Sequence, residues 1–537
     1  MYCSKKRKLM KIIKYYFALV MLCLLSACID SRDDIYNELP DIEIANLESV
    51  PSEVLYNEVL YIDPTVKYGD SQDKEAFDFL WYKGVGSSLK LLSEEPVLEQ
   101  KMDSLGTWNI YLKIIHKTTQ LSSLATLSVK VNSQTERGWY VLKENAEGNT
   151  DLDFFKTAED GKITPDAMAD LIGRENALKG VPKGIMFTNN FRWKSPGSTS
   201  FTTYINTLIP FSEKEVGALR INDSKLMETT DNLFFEKSVD ASYGFSGGIG
   251  APQQALLLNN GNAHLMQAGM QAFLPAVFGD YSLSPHFTLS NAYGSYILGF
   301  DELSESFIYV KLLSASIFPF PQKQLENSRL SISSNNMKGR ISFLENTDGS
   351  LNPQNTSYAQ RAYAIFHENS RNDRSLLLGL DLAQIDAGQT TYGSAQFNPI
   401  MTADTLNYRV YPEIEKSEIF TLHKNYPILY FAYGNKIGSY SIEMIEQNRY
   451  KKEILAYPSE EKISYMHFIE CMFDTNSFSY LVVATYTADG NYKIYRYKIA
   501  GNDVTQVGSP LTGRGKVKTI RYIAPSSSIM FYLYRYY

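Results

Sequence analysis

Between Asp41 and Val131 apolar and polar residues alternate in short runs, the period expected of strands with one buried face. The runs fall at 42–47, 59–68, 77–82, 90–92, 107–116 and 124–131. Turn material separates them, as at Gly69-Asp70-Ser71 and Lys83-Gly84-Val85-Gly86. Successive side chains on a strand point to opposite faces, and this alternation turns Trp81 and Trp108 inward. Strand number and spacing predict an immunoglobulin-like β-sandwich over residues 41–133.

From Gly138 the pattern becomes one of recurring hairpins. Distinct pairs occupy 138–155, 254–267, 363–382, 428–442 and 480–499. Their turns fall at Glu147-Gly148-Asn149, Asn259-Asn260-Gly261-Asn262, Glu368-Asn369-Ser370-Arg371-Asn372, Gly434-Asn435-Lys436 and Asp489-Gly490-Asn491. Asn-Gly is a favoured two-residue hairpin turn. Less distinct pairs lie at 184–209, 216–235, 295–313 and 329–344. Hairpins repeated in this way predict a β-propeller-like domain over 137–537, with about seven or eight four-stranded blades. Two stacked sandwiches are the alternative. In a propeller, the strand-like stretch from Ile520 to the terminus can close the ring on an early strand. Helical spacing is scarce. One short helix is expected at 164–172, with Thr164 as N-cap, Pro165 at the first position and Gly173 as its stop. A weaker candidate at 267–277 is interrupted by Gly269 and Pro275. The fold class is therefore all-β, and 38 Tyr and 28 Phe, residue types suited to half-buried pleated surfaces, agree with it.

The first 27 residues have a different pattern. Lys5, Lys6, Arg7, Lys8, Lys11 and Lys14 precede an apolar run from Tyr15 to Leu25, the layout of a secretory signal. The run is shorter than the roughly 20 apolar residues a membrane-spanning helix needs. It ends in Leu25-Ser26-Ala27-Cys28, which resembles the lipobox of bacterial lipoproteins. That resemblance implies cleavage before Cys28 and acylation of Cys28, palmitate being one such acyl group, so that the chain is tethered to a membrane. Starting at Met10 would still leave a usable signal. Residues 28–40 then form an acidic tether. Asp30, Asp33 and Asp34 resemble the acid-rich export signals of surface-displayed Bacteroidota lipoproteins; a merely solvated acidic tether is the plainer alternative.

Maturation sharpens what composition excludes. Losing six basic residues and no acid takes the net charge from −7 to −13, which argues against nucleic acid as a partner. Cys3 and Cys23 leave with the signal and Cys28 is acylated. Cys471 alone remains, so no internal disulfide or cysteine metal cluster is expected. In Phe468-Ile469-Glu470-Cys471-Met472-Phe473 it reads as a small buried hydrophobe. The six histidines, at 116, 264, 286, 367, 423 and 467, show no zinc-site spacing. Gly-x-Ser-x-Gly is absent, and the glycine-rich Gly244–Gly250 lacks the Lys-Ser/Thr of a phosphate loop, reading instead as a loop at a blade edge. Residues 156–163 place Gly161 and Ile163 like a calcium loop. However, Lys156, Ala158 and Ala167 stand where oxygen ligands are required, so only a turn is expected. No metal, cofactor or catalytic residue is assigned.

Phe79-Leu80-Trp81-Tyr82 and Leu105-Gly106-Thr107-Trp108-Asn109-Ile110-Tyr111 resemble the Tyr-x-Trp and Gly-Thr-Tyr strands of PKD-like modules. Gly138-Trp139-Tyr140-Val141-Leu142-Lys143-Glu144 resembles the Gly-Trp-x-Val-Leu-x-Glu segment that opens the long β region of PKD-like family lipoproteins of Bacteroidota. The resemblance implies an outer-membrane lipoprotein, lipid-anchored and exposed at the cell surface. It also implies association with a nutrient-uptake system built on an outer-membrane transporter and its partner lipoprotein. The Trp-Asp-Phe-Gly-Asp-Gly stretch of PKD domains proper is absent, so their adhesive role does not carry over. A non-catalytic binding or scaffold role, with a glycan or peptide as ligand, is the expected function. The alternative is a glycan-directed hydrolase with acids in the propeller channel, which needs two carboxyls about 5–9.5 Å apart.

Overall fold

The computed structural model describes residues 39–167, 178–223, 225–236, 243–249, 254–266, 269–289, 296–311, 316–324, 330–347, 361–382, 395–423, 426–442, 449–471, 478–500 and 503–524. The signal segment and Cys28, Asp30, Asp33 and Asp34 lie outside these residues. The chain divides into one compact unit within Met1–Met102 and Gly106–Val131 and a second within Asp103–Leu105 and Asn132–Tyr537.

The first unit is the expected sandwich. Its strands are β1 (Ile42–Ala45), β2 (Glu53–Leu55), β3 (Val59–Ile62), β4 (Thr65–Tyr68), β5 (Phe77–Val85), β6 (Ser88–Ser93), β7 (Leu98–Lys101), β8 (Gly106–His116) and β9 (Ser122–Asn132). One sheet has the order β2-β9-β8-β5-β6, and the pairs β1-β4 and β3-β7 complete the unit. Alternation sets its core: Phe77, Phe79 and Trp81 of β5 pack with Trp108, Ile110, Leu112 and Ile114 of β8, all buried. The Trp81 indole satisfies its N–H by donating to the Glu95 carbonyl at 2.9 Å. The single run expected at 59–68 is two strands, separated at Asp63-Pro64, because proline cannot donate to a ladder.

The second unit is a closed seven-bladed β-propeller. Its innermost strands, blade by blade, are Lys516–Ile523, Pro182–Trp193, Tyr243–Ile249, Leu283–Leu289, Gly339–Asn346, Ile419–Leu422 and Lys462–Cys471. Each heads an antiparallel sheet of four or more strands, or three in blade 3 among the described residues. Each inner strand lies beside the next around the whole ring. Seven separate apolar clusters fill the seams between successive blades. The seam of blades 1 and 2, for instance, joins Leu142, Phe154 and Ile523 to Ile185, Phe187 and Leu208.

Closure mixes the two ends of the unit. Lys516–Ile523 pairs antiparallel with Gly138–Glu144, so the last described strand becomes the inner strand of the sheet begun by the first. Gly138 is required there: a Cβ would lie 2.4 Å from the Phe155 carbonyl oxygen. The five distinct hairpins all form. At the second, Asn260 and Gly261 both have positive φ, 50° and 76°, as a type I′ turn demands.

Four expectations are corrected. Residues 330–338 are irregular, so 329–344 is not a hairpin; Met337 and Phe307 instead exchange backbone bonds with Glu305 and Ser334. The 267–277 helix does not form in its described part, 269–277. There Phe273, Leu274 and Val277 donate to Leu233, Leu265 and Ala263, drawing the chain along neighbouring strands. Ile163–Thr164 is a strand, so the expected helix does not start at Thr164; Ala167 is already helical, and 168–172 lies outside the described residues. Tyr243–Ile249, most of the supposed glycine-rich loop, is an inner strand.

Candidate functional site: the neck of the central channel

In each blade the second strand returns antiparallel to the first and the fourth leads to the next inner strand. All seven inner strands therefore start at the same end of the channel. Six of them leave the regular ladder within their first four residues. Register breaks skip Lys518 in blade 1, Lys183 in blade 2, Gly244 and Phe245 in blade 3, Ser284 to His286 in blade 4, Ser342 in blade 5 and Ser464 in blade 7. A bulged residue is released from the alternation that sends its neighbours into the seams, and bulges re-aim side chains at functional sites. Here they recur at one height and form a neck.

The released side chains interact across the axis. Lys518 reaches solvent yet is walled in by protein, and burial together with Lys183 and Lys516 holds its pKa below the ordinary lysine value. Burial and Lys518 push His286 down to about 4, so it is neutral at physiological pH. Blades 1 and 4 are not neighbours, so the influence of Lys518 on His286 acts across the ring. Among the described residues neither Lys183 nor Lys518 makes an ion pair. Ser342 Oγ lies 2.7 Å from His367 Nε2, and burial with Arg340 lowers the pKa of that imidazole.

Charge is distributed unevenly along the inner strands. Their first three positions hold Lys183, Arg340, Lys462, Lys516 and Lys518 and no acid. The acids, Glu345 and Glu470, lie near the opposite ends. Glu345 is a seam residue: Oε2 accepts from the Leu422 N–H at 3.0 Å and from Thr421 Oγ1 at 3.2 Å, and Oε1 lies 3.6 Å from His467 Nδ1. It ties blades 5, 6 and 7 together. Tyr465 Oη, donating to the Ile520 carbonyl at 3.2 Å, ties blade 7 to blade 1.

Carboxyls do come close elsewhere, away from the channel. Asp153 and Asp166 both contact Lys143 Nζ, at 2.6 and 2.8 Å, and Tyr492 Oη donates to Asp153 at 2.6 Å. Burial disfavours the Lys143 ammonium, but Asp153 and Asp166 outweigh it and hold its pKa above the ordinary value. Nearby, burial pushes Asp151 up to about 6. A lysine shared by two carboxylates, with Tyr492 of blade 7 donating to one of them, forms a structural clamp between blades 1 and 7. Glu461 is similarly engaged by Thr485 Oγ1 and Lys493 Nζ, both at 2.6 Å.

The remaining sequence candidates have structural surroundings. His116 stacks on Tyr68 at 4.4 Å, His264 Nδ1 lies 3.0 Å from the Leu274 carbonyl, and His423 packs on Phe468. Cys471 is half-buried rather than buried. His467, four strand residues away, is about 13 Å off at the strand rise, too far to act as its base. Residues 156–163 form a turn in which Asp160 accepts from the Lys162 N–H at 2.9 Å. Among the described residues no three His, Cys, Asp or Glu side chains cluster as metal ligands. Lys183, His286 and Lys518 were not singled out by the sequence, because a bulge is a property of pairing and leaves no mark on a single strand.

The fold is all-β, a sandwich followed by a propeller whose inner strands begin with a cationic neck. The sequence model of the PKD-like family matches residues 29–182, the sandwich and the first strands of the propeller. A quinonprotein alcohol dehydrogenase-like protein from Bacteroides thetaiotaomicron is 12% identical, with a TM-score of 0.42, covering 91% of this chain and 100% of its own. The periplasmic gluconolactonase of Pseudomonas aeruginosa is 10% identical, with a TM-score of 0.39, covering 72% and 99%. A DUF4784 family protein from Bacteroides caccae is 7% identical, with a TM-score of 0.29, covering 90% and 99%. No activity is carried over from them. Comparison with curated proteins finds no match.

Proposed function

We propose that this chain is a lipid-anchored outer-membrane lipoprotein, held through acylated Cys28 and displayed at the cell surface with Asp30, Asp33 and Asp34 as its export signal. It works by binding, as an accessory to a nutrient-uptake system with an outer-membrane transporter and partner lipoprotein. Its ligand, a glycan or peptide, seats at the channel neck. The observation that carries the binding reading is the neck itself, where bulges free Lys183 and Lys518 from the ladder with no ion-pair partner among the described residues. The hydrolase alternative loses support because Glu345, the one inner-strand acid whose side chain is described, is saturated by blade-to-blade bonds. Two acyl chains or more anchor a protein stably, at about 0.8 kcal/mol per buried methylene. Cell fractionation and affinity recovery test the proposal. The wild type is expected in the outer membrane, co-purifying with a transporter and a second lipoprotein, and Cys28→Ala is expected among soluble periplasmic proteins. A wild-type chain recovered alone, or a Cys28→Ala chain that stays on the membrane, would contradict it.

A further inference from the structure

We infer that the neck is an oxyanion site: it holds a carboxylate or phosphate group of the ligand by Lys183 and Lys518, with His286 opposite. The inference rests on the binding reading above and names the chemical class of what is bound. Three observations converge on it. First, the register breaks in blades 1, 2 and 4 fall on the residues that carry these side chains, although the three strands have no sequence in common. Second, Lys183 and Lys518 are skipped by the ladders of two adjacent inner strands, close enough for one charge to act on the other, with no counter-ion among the described residues, in a protein whose overall charge is negative. Like charges held together in a walled channel repel, and an anion between them relieves that repulsion. Third, the entrance on the same side adds Arg340, Lys462 and Lys516 with no acid at the strand starts. His286, neutral at physiological pH, offers one N–H donor.

The test is calorimetric titration of the full lipidated chain in detergent at pH 7 and low salt, with galacturonate, inorganic phosphate and neutral galactose as probes. Galacturonate or phosphate is expected to bind and galactose not. Binding of galacturonate alone would assign a carboxylate ligand, and of phosphate alone a phosphorylated one. Lys518→Met and Lys183→Met should each weaken binding at least tenfold, about 1.4 kcal/mol. Lys518→Arg should restore most of it, and Lys130→Met in the sandwich should leave it unchanged. Among the described residues Lys518 has no ion-pair partner to lose, and folding of these variants can be confirmed independently by circular dichroism. Galactose binding that is indifferent to Lys518→Met would overturn the anionic class while leaving a binding protein. Absence of binding by both anions would overturn the oxyanion site, and the membrane recovery experiment would still judge the wider reading.

Discussion

A chain ended at Gly515 is expected to form no closed propeller. The strand it loses, Lys516–Ile523, is the inner strand of blade 1 and lies beside the inner strands of blades 2 and 7. Val517 and Ile520 are buried in the seam with blade 7, and Ile523 in the seam with blade 2. Burying an aliphatic side chain contributes about 1.5–3 kcal/mol, so these three alone contribute about 5–9 kcal/mol. Whole domains are stable by about 5–15 kcal/mol. Their loss, with the ladder to Gly138–Glu144 and an exposed sheet edge prone to aggregation, is of the same size as the stability itself. Expression of the shortened chain should give aggregated or rapidly proteolysed protein. A monomeric, protease-resistant product would show that closure is dispensable.

Lys143→Met should destabilise the propeller by about 3–5 kcal/mol, the cost of breaking a buried ion pair from one side. Lys143 and Asp153 are almost fully buried, with relative exposures of 2% and 0%, and the methionine leaves Asp153 buried without its ammonium partner. Replacing both charges is a different matter, since apolar or neutral replacements of whole buried pairs are often close to neutral. Lys143→Met with Asp153→Asn should therefore recover a large part of the loss. The urea midpoint measures both. Tryptophan emission is a suitable signal because Trp139 stacks on Phe478 in the same seam, with ring centroids 5.3 Å apart. Equal losses in the single and double variants would mean that the clamp acts through packing rather than charge.

The two architectures were legible in the sequence because hairpin turns and strand alternation are local. Asn260-Gly261 marks its turn by conformation, and Trp81 and Trp108 follow the period of two into the sandwich core. Short strands were not: Glu53–Leu55 and Leu98–Lys101 are too brief for alternation to register. Nor was the blade number, because closure joins residues near 140 to residues near 520. The seven apolar seams make it visible, each fed by two blades that neither share a motif nor adjoin in a hairpin. At 269–277, Ala272 and Phe273 have the apolar content of a helix, but neighbouring strands take the backbone bonds. The neck was the least legible part. Lys183, His286 and Lys518 look like solvated polar residues of strands until pairing shows that each is skipped by its ladder.

Lysine footprinting on intact cells tests the central claim most directly, because it reads surface display and the neck in one measurement. Cells carrying the full chain are treated with an amine-acetylating reagent at neutral pH, with and without galacturonate. The account predicts that Lys183 and Lys518 are acetylated without galacturonate and protected with it, while Lys130 is modified equally in both. Protection confined to lysines away from the neck, or no modification until the cells are broken, would contradict it.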